Sequence, residues 1–498
     1  MRNLKKLASL LLALVMVLSL ATTAFAAEGD TYSITINNAK DGHTYEAYQI
    51  FVGDLSITTA EDGTVTKTLS NVQWGANANQ TGAVAEEVLT GLTVDNASSY
   101  VDFTTTPVGT STDEGDTYVI AGLAPGYYLI KDLDGSLAGA NDAHTEYILE
   151  VVEDSTVSPK SSVPSVEKKV DDKNDSNTSE DETVWQDSAD YDIGDAVPFQ
   201  LKATLADNVS AYDTYKIVFH DTLSAGLTYN NDAEVSFNGN DVTSYFTITK
   251  ENSALTISCD DVKAFGATNS SVITVEYTAT LNEGAAIGAA GNPNVVYLEY
   301  SNNPNWKPEY WDDDSNPETP DVPKNPGDTP TGETPEDKVI VFTYKLTVNK
   351  VDEKGKALPG AGFTLYKKNA AGEYERIGEE LFGTELTTFE WAGLDDGDYK
   401  LEETTTPAGY NTIAPIEFTI TAEHDLVSDD PRLTKLNGGD LFTGEVETDD
   451  ILSADVENKS GITLPETGGM GTTMFYVFGT LLMMTAVVLL VTKRRMAF

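Results

Sequence analysis

The chain of 498 residues has a single cysteine, Cys259, and only four histidines. One cysteine forms no intramolecular disulfide, so a disulfide framework is excluded. One thiol and four imidazoles leave little material for a nucleophilic triad, and neither a zinc-spaced cluster nor a phosphate-binding glycine loop is present. The chain is therefore not expected to be an enzyme, to carry a cofactor or to hold a resident metal. Cations are scarce as well: 31 Lys and Arg stand against 80 Asp and Glu, giving a formal net charge of −49. Phosphate contacts require Lys and Arg, so nucleic acid is excluded as a partner. Helical periodicity is nearly missing, with only the segment from Val84 to Leu92 hinting at a helix.

Long apolar runs occur only at the two ends. Arg2, Lys5 and Lys6 precede an apolar stretch from Leu7 to Leu20, and Ala24-Phe25-Ala26 supplies a small-x-small cleavage site. This reads as a secretory signal peptide cut after Ala26, the run being short for a bilayer anchor. At the other end an apolar run from Met470 to Thr492 is followed by Lys493, Arg494 and Arg495. About 20 apolar residues span hydrocarbon, and the basic tail holds the C-terminus in the cytoplasm. Just before this run stand Leu464, Pro465, Glu466, Thr467 and Gly468. Motif, span and basic tail in that order resemble the sorting signal of sortase substrates. The resemblance implies cleavage between Thr467 and Gly468, with Thr467 held as a thioester and passed to an amine.

What fills the roughly 435 residues between is strand-forming sequence. Ser33-Ile34-Thr35-Ile36, Thr274-Val275-Glu276-Tyr277 and Lys345-Leu346-Thr347-Val348 alternate with period two, and Gly, Asn, Asp and Pro break the runs. The expected class is all-β, as tandem immunoglobulin-like sandwiches. Composition shifts divide the chain into a signal peptide (1–26), an N-terminal domain (27–160), a middle domain (161–303), a Pro/Asp-rich connector (304–337), a third domain (338–460) and a sorting tail (461–498). First and third domains share a pattern. Leu394, Gly397, Tyr399, Leu401 and Glu403 recur at identical spacing as Leu123, Gly126, Tyr128, Ile130 and Asp132, but Asn38 stands where the third domain has Lys350.

Alternation puts Leu346, Val348 and Lys350 on one strand face, and Leu401 with Glu403 on another. A buried lysine and a buried acid are costly unless paired or neutral, and burial favours the uncharged amine, which is a nucleophile. Beside a side-chain amide, such a pair has the parts for a Lys–Asn isopeptide bond, and Asn458 on the last strand supplies the amide. Leu346-x-Val348-x-Lys350-x-Asp352 and Tyr399-x-Leu401-x-Glu403-Thr404-x-x-Pro407-x-Gly409-Tyr410 resemble the collagen-adhesin B-type domain. The resemblance implies a bond from Lys350 to Asn458, assisted by Glu403.

The middle domain invites the same reading. In Val166-Glu167-Lys168-Lys169-Val170, Lys168 shares a face with the two valines and Lys169 points outward. Phe219-His220-Asp221-Thr222-Leu223 and Asn294-x-x-Tyr297-Leu298-x-Tyr300-Ser301-Asn302 resemble the middle domain of sortase-assembled pilins. Lys168 is expected as nucleophile, Asp221 as acid and Asn294 as acceptor, with Asn302 a rival acceptor of the same parity. The first domain is expected to lack such a bond. Asn38 replaces the lysine, the run from Tyr147 to Val152 read as its last strand holds no Asn, and Asp132 is left with nothing to assist. It is therefore the domain expected to be least stable.

Val157-x-Pro159-Lys160 at the junction of first and middle domains resembles the pilin motif, with Ser158 where that motif carries Tyr. As a whole the chain resembles the backbone subunit of sortase-assembled pili: Thr467 of one copy joined to Lys160 of the next, anchored in the cell wall and displayed at the surface. The partners implied are a pilin-polymerising and a housekeeping sortase, further copies of the chain, minor pilins and peptidoglycan, with a host ligand left open. A monomeric wall-anchored adhesin is the alternative, and a tip or basal pilin a further one. Two minor expectations complete the reading. Trp311 to Asn316 is an acidic turn with calcium-ligand chemistry but no recognised loop spacing, and Trp306, Tyr310 and Trp311 pin the connector to a neighbouring domain.

Overall fold

The computed structural model describes residues 23–25, 30–60, 64–173, 183–308, 324–444, 451–461 and 470–495. The Leu464–Gly468 motif, Tyr310 and the turn from Trp311 to Asn316 lie outside the described residues, as does nearly all of the leader. Three β domains follow one another, as the alternating sequence requires. The Met470–Arg495 helix ends the description, and its Tyr476–Lys493 stretch, with mean hydropathy 1.8 and none of it buried, is long and apolar enough to cross a membrane.

In the first domain one sheet is built on the long Tyr45–Thr59 strand, flanked by Val65–Trp74 and Gly126–Asp132. The facing sheet has Tyr32–Asn37 between Thr117–Leu123 and Ser155–Val157. Ile34, Ile36, Ile120 and Ile130 close the space between them. Thr23–Phe25, at the end of the leader, pairs with Ser56–Thr58. The helical hint becomes the short Glu86–Gly91 helix. The strand alongside Tyr32–Asn37 is Ser155–Val157, running parallel to it, whereas the Tyr147 to Val152 run pairs instead with Gly126–Asp132. The closing strand of this domain therefore lies later than the sequence pattern suggests, and it too contains no Asn.

The middle domain is a sandwich. Ser165–Asp171, Ala196–Thr204 and Val272–Leu281 lie side by side in one sheet, while Asn292–Ser301, Ile217–Leu223 and Ala254–Cys259 form the heart of the other. Phe199, Leu201, Phe219, Ile257, Val275 and Leu298 fill the interior with no exposure. Asp337–Phe342 pairs with Asn292–Val296, so it belongs to this sandwich, and the connector reaches it by way of Thr331–Glu333, which also pairs with Asn292–Ser301. Val339 and Val341 of this strand pack into the middle core while Ile340 and Phe342 pack into the core of the third domain, so the strand joins the two sandwiches.

In the third domain Tyr344–Asp352 runs between Thr388–Leu394 and Leu452–Asn458, pairing in parallel with the latter. Gly362–Lys368, Gly397–Thr405 and Ile416–His424 form the opposite layer. The repeat seen in the sequence has a structural counterpart: Tyr128 donates its hydroxyl to the carbonyl of Ala124 at 2.6 Å, and Tyr399 does the same to Asp395 at 2.8 Å, four residues back in both cases.

Candidate cross-link sites and the linkage groove

In the middle domain Lys168 lies on the strand of one sheet, and Asp221 and Asn294 on strands of the other. All three side chains are fully or almost fully buried. The Lys168 Nζ donates to both oxygens of Asp221 at 2.8 Å. Burial pushes this amine down toward its neutral form, against the attraction of Asp221. Sequence reasoning missed a fourth member, Tyr277, whose hydroxyl receives a bond from Lys168 Nζ at 3.2 Å, donates to Asp221 at 2.5 Å and accepts from Asn294 Nδ2 at 2.7 Å. The signal was available: Tyr277 keeps parity with Val275, and its partner across the sheet is Phe199. The Asn294 carbonyl oxygen is buried with no hydrogen-bond partner.

Asn302 faces elsewhere. Its side-chain amide donates to the Leu137 carbonyl at 2.9 Å and its backbone carbonyl accepts from His144, so it ties the middle domain to the first. Lys169 is half-buried and pairs with Asp187.

The third domain assembles a similar set. Lys350 and Asn458 are both unexposed, and Glu403 is 7 % exposed. The parallel register sets Lys350 opposite Val456 and Asp352 opposite Asn458, so lysine and asparagine reach the same core face. The amine donates to the Val456 carbonyl at 2.6 Å and to that of Val351 at 3.1 Å. Burial lowers it to about 8, with Glu403 and Glu457 pulling the other way. Asn458 Nδ2 donates to the two Glu403 oxygens at 2.8 and 3.1 Å, and Glu403 also accepts from the Ile413 backbone at 3.1 Å. Here too the asparagine carbonyl oxygen is buried and unpartnered.

In the first domain, Asn38 spends its amide on the Tyr45 hydroxyl at 3.0 Å. Asp132 is not idle: it accepts from His43 Nδ1 at 2.7 Å and from the Thr145 backbone at 2.7 Å, and the other nitrogen of His43 meets Asp142 at 3.1 Å. Burial alone would lower His43, but hydrogen bonds to these two acids outweigh it and raise the imidazole to about 9. A buried ion network thus occupies the place of the missing lysine chemistry.

Lys160 is exposed three residues beyond the Ser155–Val157 strand. It lines a groove of about 1310 Å³ between first and middle domains, whose walls include Tyr48, Phe103 and Lys131 on one side, Asn208 on the other, and Trp306 from the connector. Trp306 is half-buried there.

Residues 193–304 match the family model of the Gram-positive pilin backbone subunit 2, Cna-B-like domain; residues 344–431 match the SpaA prealbumin-like fold domain; and residues 456–497 match the LPXTG cell wall anchor motif. The chain is 25 % identical over 573 residues to the trypsin-resistant surface T6 protein of Streptococcus pyogenes serotype M6, covering 98 % of this chain and 99 % of that protein. Its fold is similar to the solved T6 backbone pilin of serotype M6 Streptococcus pyogenes, described as a modular three-domain structure, with a TM-score of 0.52 at 18 % identity, 88 % of this chain and all of that one being covered.

Proposed function

We propose that this chain, a backbone subunit of the sortase-assembled pili of Gram-positive bacteria held at the cell wall by an LPXTG anchor, is polymerised by joining Thr467 of one copy to Lys160 of the next. It is a structural protein that polymerises with copies of itself and is processed by sortase. In the proposed linkage the Thr467–Gly468 bond breaks as the enzyme's thiolate takes the Thr467 acyl group. The Lys160 amine then attacks that thioester, the new amide forms, and the thiol leaves with the amine's proton. The observation that carries this reading is the exposure of Lys160 in an interdomain groove. Proline before it fixes the backbone φ. Head-to-tail contacts of this kind give an open filament rather than a closed ring. A housekeeping sortase, minor pilins and peptidoglycan complete the assembly in this reading.

Within each subunit, Lys168 bonds to Asn294 and Lys350 to Asn458. The neutral amine attacks the amide carbon, the Cγ–Nδ2 bond breaks, and ammonia departs with the proton that the attacking nitrogen gives up. Asp221 with Tyr277, and Glu403, carry that proton and stabilise the carbonyl oxygen as it gains charge. The shared burial of each set supports this assignment, with Lys168 donating to Asp221 and Asn458 donating to Glu403 inside the core.

The test is a denaturing immunoblot of wall extracts from native and Lys160→Ala strains. A covalent high-mass ladder that collapses to monomer in the variant is the expected result. A ladder that persists assigns the joint to another lysine, and no ladder in the native strain would sink the polymer reading.

A further inference from the structure

The joint between Thr467 and Lys160 brings a second surface within reach of the Lys160 groove. Six residues, 462–467, lie between Gly461 at the end of the third domain and the joined carbonyl. Fully extended, they span at most about 22 Å. Once Thr467 of one copy is fixed to Lys160 of the next, the end of the first copy's third domain is confined to the neighbourhood of that groove.

Strand register shows what stands at this end. Asp352 lies opposite Asn458 and Asn349 opposite Thr388, and the Lys350 backbone donates to the Thr387 carbonyl at 2.7 Å. The turn between Tyr374–Phe382 and Thr388–Leu394 therefore projects at the same end as Ser460, whose hydroxyl donates to Glu353 at 2.7 Å. The turn carries two exposed apolar side chains, Phe382 at 51 % and Leu386 at 37 %. Leu386 N closes it by donating to the Gly383 carbonyl at 3.0 Å, and a Cβ added to Gly383 would sit 3.1 Å from the Leu386 side chain. The two apolar groups are thus held outward on a tightly closed turn.

The groove offers a matching wall. Val94, Phe103 and Leu133 line it from the first domain and are 44, 43 and 41 % exposed. Exposed apolar side chains gathered in one concave place mark a surface that something covers. Polar groups in the same lining are left unpaired. His144 is 3 % exposed with neither ring nitrogen bonded, and the Tyr147 hydroxyl and the Asn208 carbonyl oxygen are likewise buried without a partner. Burial holds the His144 imidazole toward its neutral form, which has one donor and one acceptor to fill. Unpaired buried groups of this kind are costly until a covering surface or water meets them.

We propose that Phe382 and Leu386 of one copy pack on Val94, Phe103 and Leu133 of the next, so that each subunit's third domain seats against the interdomain groove of its neighbour. This packing rests on the linkage of Thr467 to Lys160. The first domain, which lies off the covalent path, then braces a joint otherwise held by a six-residue tether.

The chain's single cysteine is buried, so introduced thiols report the contact. Leu133→Cys with Leu386→Cys, and separately Val94→Cys with Phe382→Cys, are placed in the full chain in its native strain. The assembled polymer is oxidised mildly with copper–phenanthroline, and disulfide-linked peptides are identified by mass spectrometry. Linked peptides carrying positions 133 and 386, or 94 and 382, are expected in the polymer and should be lost when Lys160→Ala is added. Val427→Cys should form no link with Leu133→Cys, because Val427, 89 % exposed, lies at the opposite end of the third domain, where Asp187 N donates to the Leu426 carbonyl. A Lys160-dependent ladder in which neither linked pair forms overturns the packing and leaves the linkage standing. A ladder that survives Lys160→Ala removes the linkage and the packing with it. Links that persist in Lys160→Ala monomers place the contact within one chain and also overturn the proposal.

Discussion

Consider removing the acceptor of the middle-domain bond by Asn294→Ala. A Lys168–Asn294 link closes a loop of roughly 125 residues, and a cross-link of that span restricts the unfolded chain by about 5 kcal/mol. The substitution leaves Lys168 and Asp221 paired at 2.8 Å, so the charges remain compensated. For a domain of this size each kcal/mol moves the melting temperature by about 2–4 °C, giving a fall of about 10–20 °C. Lys168→Ala loses the same cross-link and also strands Asp221, which is 1 % exposed. An uncompensated buried charge adds about 3–5 kcal/mol. The expected order of stability is therefore native, then Asn294→Ala, then Lys168→Ala. The readouts are scanning calorimetry and intact mass, the native chain being lighter than its sequence by about 17 Da for each ammonia lost. Two losses are expected in the native mature chain and one in either variant. If Asn294→Ala kept both mass losses while Asn302→Ala removed one, the assignment of the acceptor would be wrong. If the two variants melted together, the Lys168–Asp221 pair would not be carrying the buried charge as argued.

Further outcomes follow from the other two domains and from Tyr277. Tyr277→Phe removes the hydroxyl that joins Lys168, Asp221 and Asn294, and should slow ammonia loss in the middle domain, seen as a mixed population by intact mass, while leaving the third domain fully bonded. Glu403→Gln should abolish the third-domain mass loss and make that domain cleavable by protease. In Asn458→Ala the lysine stays free with its folded value near 8, against an ordinary 10.5. Between those values the unfolded chain binds more protons, so the stability of this variant should rise with pH across the window, measured by denaturant titration; a flat profile would contradict burial of the amine. In the first domain His43 is raised from 6.5 to about 9. Its contribution is fully present below 6.5 and is lost as pH rises through about 9, so His43→Ala should cost about 3–5 kcal/mol below 6.5 and progressively less as pH rises through 9, Asp132 losing its cation while Asp142 keeps Lys40 at 3.1 Å.

Period-two alternation is a local property, and it was enough to set Lys168 and Lys350 inward and Lys169 outward. Spacing alone exposed the repeat, down to the tyrosine that bonds four residues back. Long-range register was not legible. Tyr277 meets Lys168 only because Ala196–Thr204 intervenes between their strands, which nothing in either local pattern announces. Asp337–Phe342 carries the unbroken run Val339-Ile340-Val341-Phe342, covered on both faces, and such a run gives no parity by which to assign it to one sandwich or the other. Ser155–Val157 is three residues long, too short to signal a strand, so the closing strand of the first domain was sought too early. Asp132 was read through its third-domain counterpart, Glu403. Its actual partner, His43, sits in a turn that the repeat does not preserve.

The proposed bonds also fix where tension runs. With joints at Lys160 and Thr467, the covalent path from one subunit to the next begins after the first domain, which hangs to the side and carries no load. That is consistent with its having an ion network where the third domain has a lysine. Along the path, the Lys168–Asn294 and Lys350–Asn458 bonds bypass most of the middle and third domains. Roughly 70 of about 300 residues remain outside the bypasses, so the greatest extension from unravelling is on the order of 250 Å rather than 1000 Å per subunit. Most of that slack lies between Asn294 and Lys350, and it includes the Asp337–Phe342 strand that pairs inside the middle sandwich. Pulling a single chain between residues 160 and 467 should therefore give one release from this segment and nothing longer. The doubly substituted Asn294→Ala, Asn458→Ala chain should extend about fourfold further. A native chain that reached the longer extension would show that the bonds do not lie on the load path, whatever its mass.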